Sequence, residues 1–154
     1  IREIADKLMR IAAERALRHA PILEAPHSIW EAFAARFPYT ETDDQLAAIA
    51  DVVADLEKGS PMDRLVVGDV GFGKTEVAMR AAFVAVQDGH QVAILVPTTL
   101  LAQQHYENFR DRFADWPIKI DVLSRFKSTK EQTAALKELG EGKVDIISDT
   151  HKLL

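Results

Sequence analysis

Apolar positions along this chain change period near the middle, and the changes mark out its elements. Over residues 1–19, Ile1, Ile4, Leu8 and Ile11 recur at spacings of three and four. That pattern predicts a surface helix docked by one face. Pro21 and Pro26 predict a linker over residues 20–27. Ser28 and Glu31 have the spacing of a capping box and open a short helix through Trp30, Phe33 and Ala34, which Phe37-Pro38-Tyr39 ends. Thr42 and Gln45 repeat the spacing at the head of a further helix. It turns Leu46, Ile49, Val52, Val53 and Leu56 inward and stops at Gly59.

From residue 65 short apolar runs alternate with helical stretches. Leu65-Val66-Val67 reads as a first strand, followed by a glycine-rich loop and a helix to about Gln87, closed by Asp88-Gly89. Residues 91–96 form a continuous run rich in β-branched side chains, suited to a parallel strand covered on both faces. Pro97-Thr98-Thr99 breaks that run and caps a helix over about residues 100–113, which ends at Trp116-Pro117. A third strand spans residues 118–123, and Ser124-Arg125-Phe126 is a loop. Ser128 and Glu131 form another capping box for a helix ending at Gly140, and residues 144–147 are a fourth strand. Strand and helix in alternation predict an α/β fold: a parallel sheet with helices on both faces and right-handed crossovers. Ligands bind such sheets at the carboxyl ends of the strands. The expected boundary falls near residue 37. Residues 1–36 are then a helical N-terminal extension, and residues 37–154 a nucleotide-binding unit.

Composition narrows this picture only a little. The chain has 154 residues, 47% apolar and 28% charged, with a net charge of −5. That balance excludes a wholly basic nucleic-acid coat but leaves room for a local DNA-binding edge. With no cysteine there is no disulfide framework, thiol nucleophile or cysteine zinc site. No apolar run approaches the length that spans a membrane, so no membrane partner is expected, and the cytoplasm is the expected compartment. The chain starts at Ile1 rather than Met and reads as a piece of something longer.

The chemistry centres on Gly68-Asp69-Val70-Gly71-Phe72-Gly73-Lys74-Thr75, which fits G-x-x-x-x-G-K-[ST] at every fixed position. Between a strand and a helix this is a phosphate-binding loop. Its glycines let backbone N–H groups turn inward as an anion nest, and the helix behind adds the positive end of its dipole. Lys74 is expected on the β- and γ-phosphates and Thr75 on Mg²⁺, which makes ATP with Mg²⁺ the expected cofactor and Lys74 and Thr75 the catalytic pair. A phosphate loop alone does not say what the energy is used for. A small-molecule kinase would need a lid carrying several arginines, and no arginine cluster suggests one.

Several segments together resemble the superfamily 2 helicase-type motors in their RecG-like branch. The phosphate loop is similar to that branch's Walker A segment, Pro97-Thr98-Thr99-Leu100-Leu101-Ala102-Gln103-Gln104-His105 to its motif Ia, and Thr150-His151-Lys152-Leu153-Leu154 to the Thr-His segment before Walker B. The longer wording from Phe72 through Phe83, and from His105 through Phe113, resembles the bacterial transcription-repair coupling factors within that branch. The resemblance runs continuously from about Phe37 to Leu154 and more weakly before it.

It implies a RecA-like P-loop NTPase domain, incomplete here, from an ATP-dependent double-stranded DNA translocase. Such a motor displaces stalled RNA polymerase and recruits excision-repair proteins through modules outside this chain. A branch-migrating helicase and a non-catalytic nucleotide-binding fragment are the alternatives. The resemblance further implies that Phe37 and Gln45 read adenine. By their own spacing, Phe37 also fits a core or hinge aromatic, and Gln45 a helix cap. Pro97, Thr98, Thr99, Ser124, Arg125, Thr150 and His151 are implied DNA contacts, with a plain N-cap as the other reading of Thr98 and Thr99. Two features depart from the pattern. Ser148-Asp149 replaces aliphatic-Gly, so Asp149 either repels DNA or caps the turn at Thr150. No Walker B acidic pair occurs within the chain, so little ATP turnover is expected of it in isolation.

Overall fold

A computed structural model describes residues 2–150; Ile1 and residues 151–154 lie outside the described residues. Six helices and three strands follow one another among them: α1 (Arg2–Ala16), α2 (His27–Ala35), α3 (Asp43–Leu56), α4 (Lys74–Gln87), β1 (Val92–Leu95), α5 (Thr99–Arg112), β2 (Ile120–Leu123), α6 (Thr129–Gly140) and β3 (Ile146–Asp149). The strands form one parallel sheet in the order β1-β3-β2. Leu95, Asp149 and Leu123 share a register, so all three strands end at one edge.

The sheet is covered on both faces, as its sequence pattern predicts. Ile146 faces α4 and α5, where it joins Met79, Phe83, Phe109 and Phe113. Its neighbour Ile147 faces α6 and packs with Leu123, Ala135 and Val144. Alternate residues of a strand point to opposite faces, so a central strand between two helical layers must be apolar throughout. β3 is buried at all four positions. β1 is an edge strand instead, with Val92 and Ile94 turned to the core and Leu95 48% exposed. Its continuous apolar run therefore does not reflect cover on both faces.

Two expectations fail for related reasons. Leu65-Val66-Val67 forms no strand and pairs with none of the three strands. Val66 packs toward α3, whereas Leu65 and Val67 are 86% and 83% exposed. A cleft of about 500 Å³ separates this segment from β1, lined by Val66, Val77, Ala93, Leu95 and others. Strand propensity needs a neighbour to form a ladder, and the segment has none at hand. Arg64 holds it by its flank instead, bonding Asp55 at 2.6 Å and Asp51 at 2.9 Å on α3. The Arg64 guanidinium, with Lys58, draws the Asp55 carboxyl down to about 2.

The second failure is α1. The helix forms, but its apolar stripe is not docked: Ile4, Leu8 and Ile11 are 66%, 61% and 44% exposed. An ion pair from Arg15 to Asp63 tethers its end. α2 also starts differently from its capping-box pattern. Pro26 is the N-cap and Glu31 pairs with His27 at 3.3 Å, with no side-chain cap from Ser28. Pro26 has its φ at −55° and its carbonyl accepts from Ile29 and Trp30, so the turn is set without a hydroxyl. Phe33 of α2 is fully buried, stacked on Phe83 of α4 at 4.1 Å.

Candidate functional site

The phosphate loop sits between the 65–67 segment and α4, and backbone geometry explains its glycines. Gly71 and Gly73 have φ of +84° and +72°. The left-handed backbone at Gly73 calls for glycine, and a Cβ there would lie 2.4 Å from the Gln45 amide nitrogen and push that side chain aside. Gly73 is also the N-cap of α4, and no side chain caps that helix. α3, α5 and α6 are all capped by hydroxyls. The α4 N-terminus thus keeps N–H groups and the positive end of its dipole for an anion.

Lys74 folds across the loop, its ammonium donating to the carbonyls of Gly68 at 2.5 Å and Asp69 at 2.6 Å. Thr75 lies in the first turn of α4, beside Lys74. Val70 projects from the loop at 99% exposure, outside the cleft lining, and Phe72 at 63%.

A cleft of about 830 Å³ opens over this loop. Its walls combine Gly68, Asp69, Gly71, Phe72, Gly73 and Lys74 with Phe37, Tyr39, Thr40, Thr42 and Gln45. The structure therefore brings the two expected adenine readers to the phosphate loop. Phe37 is half-buried and meets Tyr39 edge-on at 5.6 Å. Of the two readings of Gln45, the geometry shows the cap. The Gln45 carbonyl accepts from the Thr42 N–H at 2.9 Å in a complete capping box. Its amide donates to the Phe72 carbonyl at 2.9 Å, tying α3 to the loop.

Beneath the cleft lies a buried ion network that motif matching does not find. Glu76, one residue past Thr75, is 6% exposed and Arg80 is 3% exposed. The Arg80 Nε donates to Glu76 at 2.8 Å, and a terminal guanidinium nitrogen to Glu41. Arg112 of α5 donates to both Glu76 oxygens, at 3.1 and 2.7 Å. Two arginines balance two carboxylates, the condition under which buried charges are tolerated. The bond from Arg80 holds the Glu41 carboxyl below its ordinary value. The signal for this network was an acid-then-base pair four apart on an otherwise apolar helix.

The expected DNA contacts gather at the carboxyl edge of the sheet. Pro97, Thr98 and Thr99 follow β1, Ser124 and Arg125 follow β2, and Thr150 follows β3; His151 lies outside the described residues. The Thr98 hydroxyl caps α5 by accepting from the Leu101 N–H at 3.2 Å. Arg125 is exposed. Ser124 is 5% exposed, and its hydroxyl accepts from the Phe126 N–H at 3.3 Å within its own turn. Asp149 is fully buried as the last residue of β3 and accepts from the Thr150 N–H at 2.6 Å. The turn that Asp149 was expected to cap runs on into residues 151–154, outside the described residues.

Comparison with known proteins agrees with this geometry. The chain is 55% identical over its whole length to the transcription-repair-coupling factor of Escherichia coli (strain K12), and equally to that of Haemophilus influenzae. It spans 13% of the length of each of these relatives. Among solved structures, RecG bound to a three-way DNA junction matches 92% of this chain, with a TM-score of 0.85 and 31% identity; the chain covers 20% of that structure. The model of the DEAD/DEAH box helicases matches residues 42–154. That span runs from the Gln45 capping box through the phosphate loop to the strand edge, and the chain belongs to the DEAD/DEAH box helicase family.

Proposed function

We propose that this chain is the ATP-binding part of an ATP-dependent double-stranded DNA translocase in transcription-coupled repair. The observation that carries the reading is the cleft in which Phe37, Gln45 and the phosphate loop meet. The residues fit ATP with Mg²⁺: an uncapped helix end with Lys74 in its first turn would take the phosphates, and Phe37, in the same cleft, would offer a ring to the base. Among the described residues no cluster of three His, Asp or Glu side chains is placed to hold a metal by itself. Mg²⁺ commonly binds through phosphates and a few protein oxygens, and Thr75 is the residue assigned to it here.

In the proposed reaction Lys74 leaves its own loop carbonyls for the β- and γ-phosphates, while Gln45 keeps the loop registered on α3. Mg²⁺, when bound, neutralises charge developing on the phosphates. Pro97, Thr98, Thr99, Arg125 and Thr150 contact the DNA backbone along the strand edge, with Ser124 shaping the loop that carries Arg125. His151 is retained as a contact on its motif alone. RNA polymerase and excision-repair proteins are the assigned partners of the longer protein, in line with the relatives' name.

The decisive test is Lys74→Ala in the full-length protein. Duplex-stimulated ATP hydrolysis and translocation should fall by at least ~100-fold, with the melting temperature nearly unchanged, because transition-state charge contacts are worth this much. Retained translocation would refute the motor reading. The likeness to a junction-bound RecG supports a second reading, branch migration. Stimulation of hydrolysis by three-way junctions well above that by linear duplex would favour it.

A further inference from the structure

We propose that Arg80 is a positioning residue that builds the base-side wall of the nucleotide cleft. The inference rests on the ATP-binding reading above and deepens it.

Residues 38–41 lie outside any helix or strand, yet Tyr39 and Thr40 line the cleft. A wall of irregular backbone needs side-chain anchors, and Arg80 supplies one at each end. Its guanidinium lies 5.9 Å from the Phe37 ring centroid at the start of the segment. It also pairs with Glu41 at the end. Trp30 flanks the same guanidinium at 5.7 Å, and Glu76 fixes its third side through the Nε bond of 2.8 Å. A planar, delocalised cation suits a site that stacks and bridges at once, and an ammonium does not.

The anchor's origin matters as much as its contacts. Arg80 belongs to α4, whose first turn holds Lys74 and Thr75. Six residues of helix put the anchor roughly 9 Å behind Lys74. One rigid helix thereby sets both the phosphate end of the cleft and the wall opposite the base. Arg112, sharing Glu76, stiffens the arrangement from α5.

The distinguishing readout is the share of affinity that depends on the base. Equilibrium dissociation constants of Mg-ATP and of inorganic tripolyphosphate with Mg²⁺ are measured on the full-length protein and on Arg80→Lys and Glu41→Gln. Glu41 is only partly buried, so its variant preserves the core should Arg80→Lys fold poorly. Loss of an ordered aromatic wall should weaken ATP by about 3- to 10-fold in both variants, with tripolyphosphate within about twofold of wild type. Parallel loss of both ligands would make the network merely structural and overturn the proposal. So would unchanged ATP affinity in a folded Glu41→Gln. Failure of the wild-type protein to bind either ligand would instead overturn the nucleotide reading beneath it.

Discussion

Gln45 shows how one side chain serves two elements. Its carbonyl end closes the capping box of α3 and its amide end grips the phosphate loop at Phe72. A substitution can separate the two. Gln45→Glu keeps an acceptor for the Thr42 N–H but has no donor for the Phe72 carbonyl, and it faces the phosphates with a negative charge. Stability should stay within about 1 kcal/mol of wild type, the size of a cap interaction. ATP affinity should fall by about 3- to 10-fold, since a neutral hydrogen bond is worth about 0.5–1.5 kcal/mol. Calorimetric titration beside a denaturant melt measures both, and undiminished affinity would reduce Gln45 to a cap. The spacing of Thr42 and Gln45 made the cap legible in the sequence. The contact with Phe72 was not, because it joins residues far apart in the chain. The same holds for Glu41 on Arg80 and Arg112 on Glu76, which link segments separated by 39 and 36 positions.

Elements governed by local rules were legible. The caps at Thr42, Thr98 and Ser128 sit at the heads of α3, α5 and α6, and Gly89, at φ +79°, follows the end of α4. Elements that depend on a partner were not. Among the described residues, Leu65-Val66-Val67 has the composition of a strand and no ladder, and α1 has an apolar stripe left exposed. α2 lies between the two cases: its existence follows from local pattern, while the burial of Phe33 against Phe83 and Phe113 required the fold. Helix heads also provide a controlled comparison for the DNA edge. Thr98→Ala and Ser128→Ala each remove a hydroxyl cap and should each cost about 1 kcal/mol. Only Thr98 stands with Pro97 and Thr99 at the end of β1 among the assigned contacts, so only Thr98→Ala should also weaken binding to duplex DNA. Denaturant melts and fluorescence anisotropy on the two variants in the full-length protein provide the check. Equal effects on DNA would remove Thr98 from the interface.

At the scale of the whole molecule, the net charge of −5 has to be reconciled with the proposed polyanionic substrate. The fold does this by placement rather than by composition. The sheet's parallel strands end in one register, so the loops after β1, β2 and β3 form a single edge. Glu76 adds little to that edge's field, because Arg80 and Arg112 neutralise it. Lys127 pairs with Asp121, which leaves exposed Arg125 as the cation that the β2 loop presents. A phosphate contact of this kind adds affinity without sequence preference and releases a counterion. Arg125→Ala should therefore weaken binding to duplexes of unrelated sequence by similar factors. It should also flatten the dependence of log affinity on log salt by about 0.9, one phosphate's worth. Binding isotherms across a salt series, with two duplexes of different sequence, measure both effects. An unchanged slope would mean that Arg125 is only a solvated side chain, and that DNA follows a path along this edge set by the loops after β1 and β3.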